Sequence, residues 1–194
     1  MKNAILVPGR PDKEEYYDLN EPANSDNHWF PWLVKNLQVN DIFAVTIEPP
    51  MPWQPRYDKW KKEFEKFDVT EETVLVGHSC GGGFLVRWLS ENQDRKVGKV
   101  VLVAPWINPS DNPVSDTDDF FHFDIDENLA ERTEGFTLFN STNDDKSIHN
   151  SVAIIKEKIK NLSYKEFDNY GHFCLEDMNT VEFPELLEEI LGEI

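Results

Sequence analysis

Five short runs of aliphatic and β-branched residues recur along the chain: Ala4 to Val7, Ile42 to Ile47, Thr73 to Val76, Val100 to Val103 and Phe136 to Phe139. Continuous apolar runs of this length suit strands covered on both faces. A weaker strand-like stretch, Tyr164 to Phe167, follows near the end. Between them the apolar residues take helical spacing: Trp29, Leu33 and Leu37; Trp60, Phe64 and Phe67; Phe84, Leu85, Trp88 and Leu89; Val152, Ile155 and Ile159. Leu186, Leu187, Ile190 and Leu191 close the chain with the same pattern. Strand and helix in alternation predict an α/β fold, a three-layer αβα sandwich whose sheet is mostly parallel. These stripes read as core rather than as cofactor sites. Ligands of such sheets gather beyond the carboxyl ends of the strands, so chemistry is sought just after each run.

The length of 194 residues and a hydrophobic content of 39% suit one domain spanning 1–194. Asp and Glu number 37 against 19 Lys and Arg, a formal charge of −18. That field repels phosphate backbones and anionic head groups, which argues against nucleic acid and membrane partners. No apolar run approaches the length needed to cross a bilayer or to serve as a signal segment. Cys80 and Cys174 form no C-x-x-C pair, so a reduced, cytoplasmic protein is expected. From Asp111 to Glu134 nine acids stand against the single base Arg132. With Phe120, Phe121 and Phe123 among them, they suggest an acidic loop or cap inserted at about 107–134, either solvated or overhanging a pocket. Its Asp124-x-Asp126-x-Asn128 spacing imitates a calcium loop. The turn position holds Leu129 instead of glycine, however, and the last ligand position holds Gly135, so no metal is expected there.

Directly after Thr73 to Val76 comes Gly77-His78-Ser79-Cys80-Gly81, and the helical stripe of Phe84, Leu85 and Trp88 follows at once. This is G-x-S-x-G in a strand-turn-helix setting, where a sharp turn lifts the serine hydroxyl to the top of the sheet. Gly81, Gly82 and Gly83 open that helix, although each costs about 1 kcal/mol relative to alanine. Close backbone packing behind a nucleophile is a compensating reason; a capping serine on a glycine-rich helix start is the bland alternative.

A serine hydroxyl needs a base to take its proton and a third group to orient that base. Of the five histidines, His172 in Asn169-Tyr170-Gly171-His172-Phe173 follows the last strand-like stretch. His78 is expected to point away from the hydroxyl, while His28, His122 and His149 fall in a helix start, the acidic lobe and a helix. The acid is expected after Phe136 to Phe139, where Asp144 and Asp145 compete. Asp145 is favoured because Asp-x-x-Ile leads into the next helix, and Asp144 is the alternative. The one not used would cap that helix or complement its dipole. The order Ser79, Asp145, His172 is that of the α/β-hydrolases.

Leu6-Val7-Pro8-Gly9, Val76-Gly77-His78-Ser79-x-Gly81, Phe139-x-Ser141-Thr142-x-Asp144-Asp145 and Gly171-His172-Phe173 occur in that order across most of the chain. Together they resemble the small serine hydrolases of the retinoblastoma-binding protein nine and YdeN-like family. The resemblance implies a compact α/β-hydrolase of about six strands, and it implies the second aspartate of the pair, Asp145, as the acid. It also implies ester or amide hydrolysis.

The chemistry expected is acyl transfer to water through Ser79, with backbone N–H groups of Cys80 and Arg10 holding the oxyanion and no cofactor or metal. The thiol of Cys80 is not expected to react, since the elbow presents position 79. Trp53 and Trp106 are candidates either for an acyl pocket or for core. The substrate is expected to be a small ester or amide, neutral or cationic rather than anionic, and no protein partner is legible. The alternative from another class is a non-catalytic binding module on a hydrolase fold.

Overall fold

The computed structural model describes residues 2–107 and 118–192. Six strands form one sheet: β1 (Asn3–Val7), β2 (Phe43–Thr46), β3 (Val74–His78), β4 (Val97–Val103), β5 (Thr133–Ser141) and β6 (Ser163–Phe167). All five pairings are parallel and the spatial order is β2-β1-β3-β4-β5-β6. The runs of β1, β3 and β4 lie in strands covered from both sides, whereas the Ile42 to Ile47 run yields only the edge strand β2, where Phe43 is 56% exposed. Ala4 to Val7, Val74 to Val76 and Val100 to Val103 are each at most 1% exposed.

The helices are α1 (Lys13–Tyr17), α2 (Phe30–Val39), α3 (Tyr57–Phe64), α4 (Cys80–Glu91), α5 (Asp118–Phe121), α6 (Lys146–Lys158), α7 (Leu175–Met178) and α8 (Pro184–Leu191). Helices α2 and α8 pack together on one face, and α3 and α5 pack against α4 on the other, giving three layers. Leu33 and Leu37 bury α2; Trp60 and Phe64 bury α3; Leu186 and Ile190 bury α8. Each helical stripe read from the sequence is thus a core face. Among the described residues no helix is long and apolar enough to cross a membrane.

Part of the acidic segment, residues 108–117, lies outside the described residues, as do Asp111 and Asp116. Beyond it Phe120 is 1% exposed and meets the Trp60 ring at 5.0 Å, while Phe121 meets Trp106 at 4.9 Å. These two phenylalanines therefore anchor the segment to the core. Asp126, a member of the calcium-like spacing, is occupied otherwise: its Oδ2 accepts from Arg132 at 2.7 Å.

The chain leaves β1 for β2 on one side and reaches β3 on the other, so β1 and β3 flank the switch point of the sheet. Loops after those two strands diverge and leave a crevice at the carboxyl end. Register aligns the neighbouring ends, with His78 beside Val103, Val103 beside Phe139, and Ser141 beside Phe167. Residues following β1, β3, β5 and β6 consequently converge on one edge.

Candidate active site

Ser79 sits between β3 and α4 with φ 54° and ψ −122°. A positive φ in a serine is a strained conformation that only the surrounding structure can hold. Here the Ser79 N–H donates to Val103 O at 3.0 Å, and its carbonyl accepts from Gly83 N and Trp106 N at 3.2 and 2.9 Å. Gly81 allows α4 to start directly behind β1: a Cβ there would lie 2.1 Å from Val7 O. The helix-propensity cost of this glycine is thus the condition for close packing behind the serine. Gly9, after β1, approaches from the other side, and a Cβ on it would lie 2.9 Å from Ser79 Cβ. The Gly9 backbone is therefore against the serine, and Arg10, the next residue, lines the same cleft. Cys80 is the first residue of α4, where amides lack a partner within the helix.

His172 lies in the loop after β6. Its Nδ1 is 3.0 and 3.1 Å from the two carboxylate oxygens of Asp144, whose side chain is only 1% exposed. Since a carboxylate accepts, Nδ1–H is the donor, and in the neutral ring this leaves the lone pair on Nε2. Asp145, favoured in the sequence reading, does something else. It is the N-cap of α6, with Oδ1 accepting from Ser147 N at 2.7 Å. That bond, more than any other influence, holds its carboxyl below the usual carboxylate range. Adjacent side chains diverge, so only one of the pair can face the imidazole. The backbone turns Asp144 inward and leaves Asp145 to begin the helix.

Ser79, His172 and Arg10 line one cleft with two arms. The first arm, about 300 Å³, is bounded by Gly9, Glu15, Asn24, His28 and Cys174; the second, about 510 Å³, by Trp106, Asn143, Asp144 and Ile148. Trp106 faces this cleft at 5% exposure, whereas Trp53 packs at a tilt against Tyr16 and Tyr17 with centroids 4.5 and 5.1 Å apart. The Arg10 side chain donates to Trp53 O at 3.3 Å.

Two histidines set aside in the sequence reading turn out to border the same cleft. His78 is buried beneath His172, with Nε2 2.8 Å from the His172 carbonyl, so Nε2–H is the donor. Burial, reinforced by the neighbouring His172 and His28, keeps its pKa well below 6.5. His28 precedes α2 instead of starting it and adopts φ 53°. Burial lowers its pKa as well, and its Nδ1 accepts from Leu175 N at 3.2 Å. Both placements depend on contacts across at least 94 residues, which local spacing does not reveal.

Cys80 is fully buried and its thiol is pushed up to about 12 by that burial, so it is no nucleophile near neutrality. Among the described residues, His28, Cys174 and Glu176 are the group whose ligand atoms come within 4.8 Å of one another. The His28 Nδ1 lone pair already has a donor, and burial holds the Cys174 thiol protonated with a pKa of about 12. His28 and Cys174 are bonded to Leu175 N and to the His172 carbonyl, and with Glu176 they line the first arm of the cleft.

A hydroxyl on a raised turn, an imidazole with its far nitrogen held by a buried carboxylate, and glycine-rich backbone beside the serine together suit nucleophilic attack on an acyl carbon.

The family model described as serine hydrolase matches residues 22–184. The YdeN protein of Bacillus subtilis (strain 168) is 38% identical over 95 residues, 47% of this chain and 50% of that protein. That sequence match therefore spans about half the length of the relative. The crystal structure of the same gene product superposes with a TM-score of 0.82 at 23% identity, covering 99% of this chain and 98% of that one. A YdeN-like protein from Pectobacterium atrosepticum gives 0.63 at 16% identity, covering 97% and 89%. These likenesses establish the α/β-hydrolase fold.

Proposed function

Because this chain belongs to the serine hydrolase family, we propose that it cleaves a carboxylic ester or amide through an acyl group carried on Ser79. The observation that carries the reading is the bond from His172 to Asp144 in the cleft that Ser79 lines. Nε2 of His172 takes the Ser79 proton as Oγ attacks the carbonyl carbon. The carbonyl oxygen becomes an oxyanion held by the N–H groups of Cys80 and Arg10, each such donor contributing about 3 to 4 kcal/mol. The intermediate collapses, the bond to the leaving group breaks, and His172 returns the proton to the departing oxygen or nitrogen. Water then repeats the sequence: His172 takes its proton, its oxygen attacks the acyl carbon, and Ser79 leaves as the alcohol. Asp144 keeps the imidazole in the tautomer this cycle needs.

The substrate we assign is neutral or cationic. Glu15, Glu21 and Glu176 line the first arm of the cleft with Arg10 the lone cation among them, and Asp144, Asp145 and Asp177 line the second. The two free thiols suit a reducing compartment, and we place the protein in the cytoplasm.

The test is labelling by a fluorophosphonate probe. Wild-type protein reacts and Ser79→Ala does not. A wild-type protein that stays unlabelled across the pH range in which it is folded would return the chain to the alternative, a binding module on a hydrolase fold.

A further inference from the structure

The β5–β6 ladder ends at Ser141 opposite Phe167, yet Asp144 and His172 meet farther along. Something must hold the two loops in register beyond the last rung of the sheet. Thr142 N still reaches Phe167 O at 2.9 Å, and Asn169 N reaches the Thr142 hydroxyl at 3.4 Å. After that, side chains take over. The Ser141 hydroxyl is completely buried, accepts from Tyr170 N at 2.9 Å and donates to Asn143 Oδ1 at 2.8 Å. The same Asn143 oxygen accepts from Gly171 N at 2.8 Å. Chemistry fixes the orientation of this amide, because both of its partners are donors and only the oxygen can serve them. His149 Nε2 holds Ser141 from the far side, 2.9 Å from its carbonyl.

Resting on the proposed role of His172 and Asp144, we propose that Ser141 and Asn143 form a clasp that positions the Asp144–His172 bond. Its two grips, on Tyr170 and Gly171, fall immediately before His172, while Asn143 itself falls immediately before Asp144. Asn143 borders the second arm of the cleft, but the hydrogen bonds of both side chains run to the loops that carry Asp144 and His172 and not to Ser79, so these are positioning residues. Without the Ser141 hydroxyl, the Tyr170 N–H loses its acceptor and Asn143 Oδ1 loses one of its two donors. The loops then relax apart, and a displacement of about 1 Å at a reacting group costs about a hundredfold in rate.

The test uses Ser141→Ala, Asn143→Ala and the double variant of the full chain. Each is assayed on the best ester found and examined by long-range 1H–15N spectra of the His172 ring, which report where its proton sits. We expect each single variant to lower kcat by about ten- to a hundredfold with KM little changed, and to reduce the Nδ1–H population of His172. The double variant should lose no more than the worse single one, since both act through one clasp. Should buried Ser141→Ala fail to fold, the exposed Asn143→Ala carries the test. Folded variants with the His172 tautomer and kcat of wild type overturn the proposal, as does a loss of kcat with an unmoved tautomer. The ring spectra need no turnover. An inactive wild type would therefore fail the hydrolase reading while the clasp is still judged by the tautomer alone.

Discussion

Nδ1 of His172 lies 3.0 Å from Oδ2 and 3.1 Å from Oδ1 of Asp144, across 28 residues of chain, while the neighbouring Asp145 spends its carboxylate on the first turn of α6. The two aspartates thus have separable jobs. Asp144→Asn places an amide opposite Nδ1, where the ring can turn to the wrong tautomer and its protonated form loses its counter-charge. We expect kcat to fall about a thousand- to ten-thousandfold with little loss of stability. Asp145→Ala should keep most of its kcat and lose about 1 kcal/mol of stability through the missing cap. Steady-state kinetics and urea denaturation of the pair check this; the reverse pattern would restore Asp145 as the acid.

Much of this was readable from residue order, and the division has a physical basis. Strands covered on both faces leave continuous apolar runs, so β1, β3, β4 and the centre of β5 were visible. The elbow was visible because a strand, G-x-S-x-G and a helix succeed one another without a break. The choice between Asp144 and Asp145 was not visible, since both follow the same strand and the deciding contact comes from another loop. His28 reads as the start of a helix, but it lies before α2 with φ 53°, and its ring accepts from Leu175 of α7 across 147 residues, a contact that local spacing does not reveal. Ser141 stood in the motif as a mere match; its buried hydroxyl acquires meaning only when the loop after β6 lies beside it.

Close approach behind the serine predicts an inversion of helix propensity. Alanine is about 1 kcal/mol better than glycine in an unconstrained helix. At position 81, however, its Cβ would fall 2.1 Å from Val7 O and 2.6 Å from Pro8 O, both backbone atoms that cannot step aside. Gly81→Ala should cost about 3 kcal/mol, the upper range for overpacking. At Gly135 the nearest atom is Lys99 Cγ at 3.8 Å, so Gly135→Ala should be neutral or gain about 0.5 kcal/mol. Urea midpoints of the two variants decide, and equal midpoints would remove close packing as the reason for the glycine.

Buried His78 makes stability fall on mild acidification. The unfolded chain protonates this ring at the ordinary 6.5, whereas in the folded protein burial holds it neutral until well below that. In the interval the unfolded state binds more protons, so the stabilisation is complete above 6.5 and is lost as pH drops towards the folded value. His28 is shifted the same way. Each proton contributes a slope of at most about 1.4 kcal/mol per pH unit. His78→Gln keeps a donor for the His172 carbonyl but cannot titrate. Between about pH 7.5 and about pH 5.5 it should lose less stability than wild type. Parallel curves for the two proteins would show that His78 protonates freely when folded.

The charge of the cleft predicts how substrates are sorted. Glu15, Glu21 and Glu176 on one arm and Asp177 on the other face a substrate with only Arg10 to offset them, within a chain of formal charge −18. A cationic ester is drawn towards this field and an anionic one repelled, mostly before any contact is made, so the effect belongs to kcat/KM rather than to kcat. With matched esters differing only in a remote ammonium or carboxylate, we expect kcat/KM to favour the cation by about tenfold at low ionic strength. Added salt should close the gap, because the screening length shrinks from about 30 Å at 0.01 M to about 3 Å at 1 M. Glu176→Gln, which changes one charge without changing shape, should narrow the low-salt ratio and leave the high-salt ratio alone. A preference that survives high salt would point to direct contact in the cleft, and equal rates at low salt would show that the acidic lining plays no part in substrate choice.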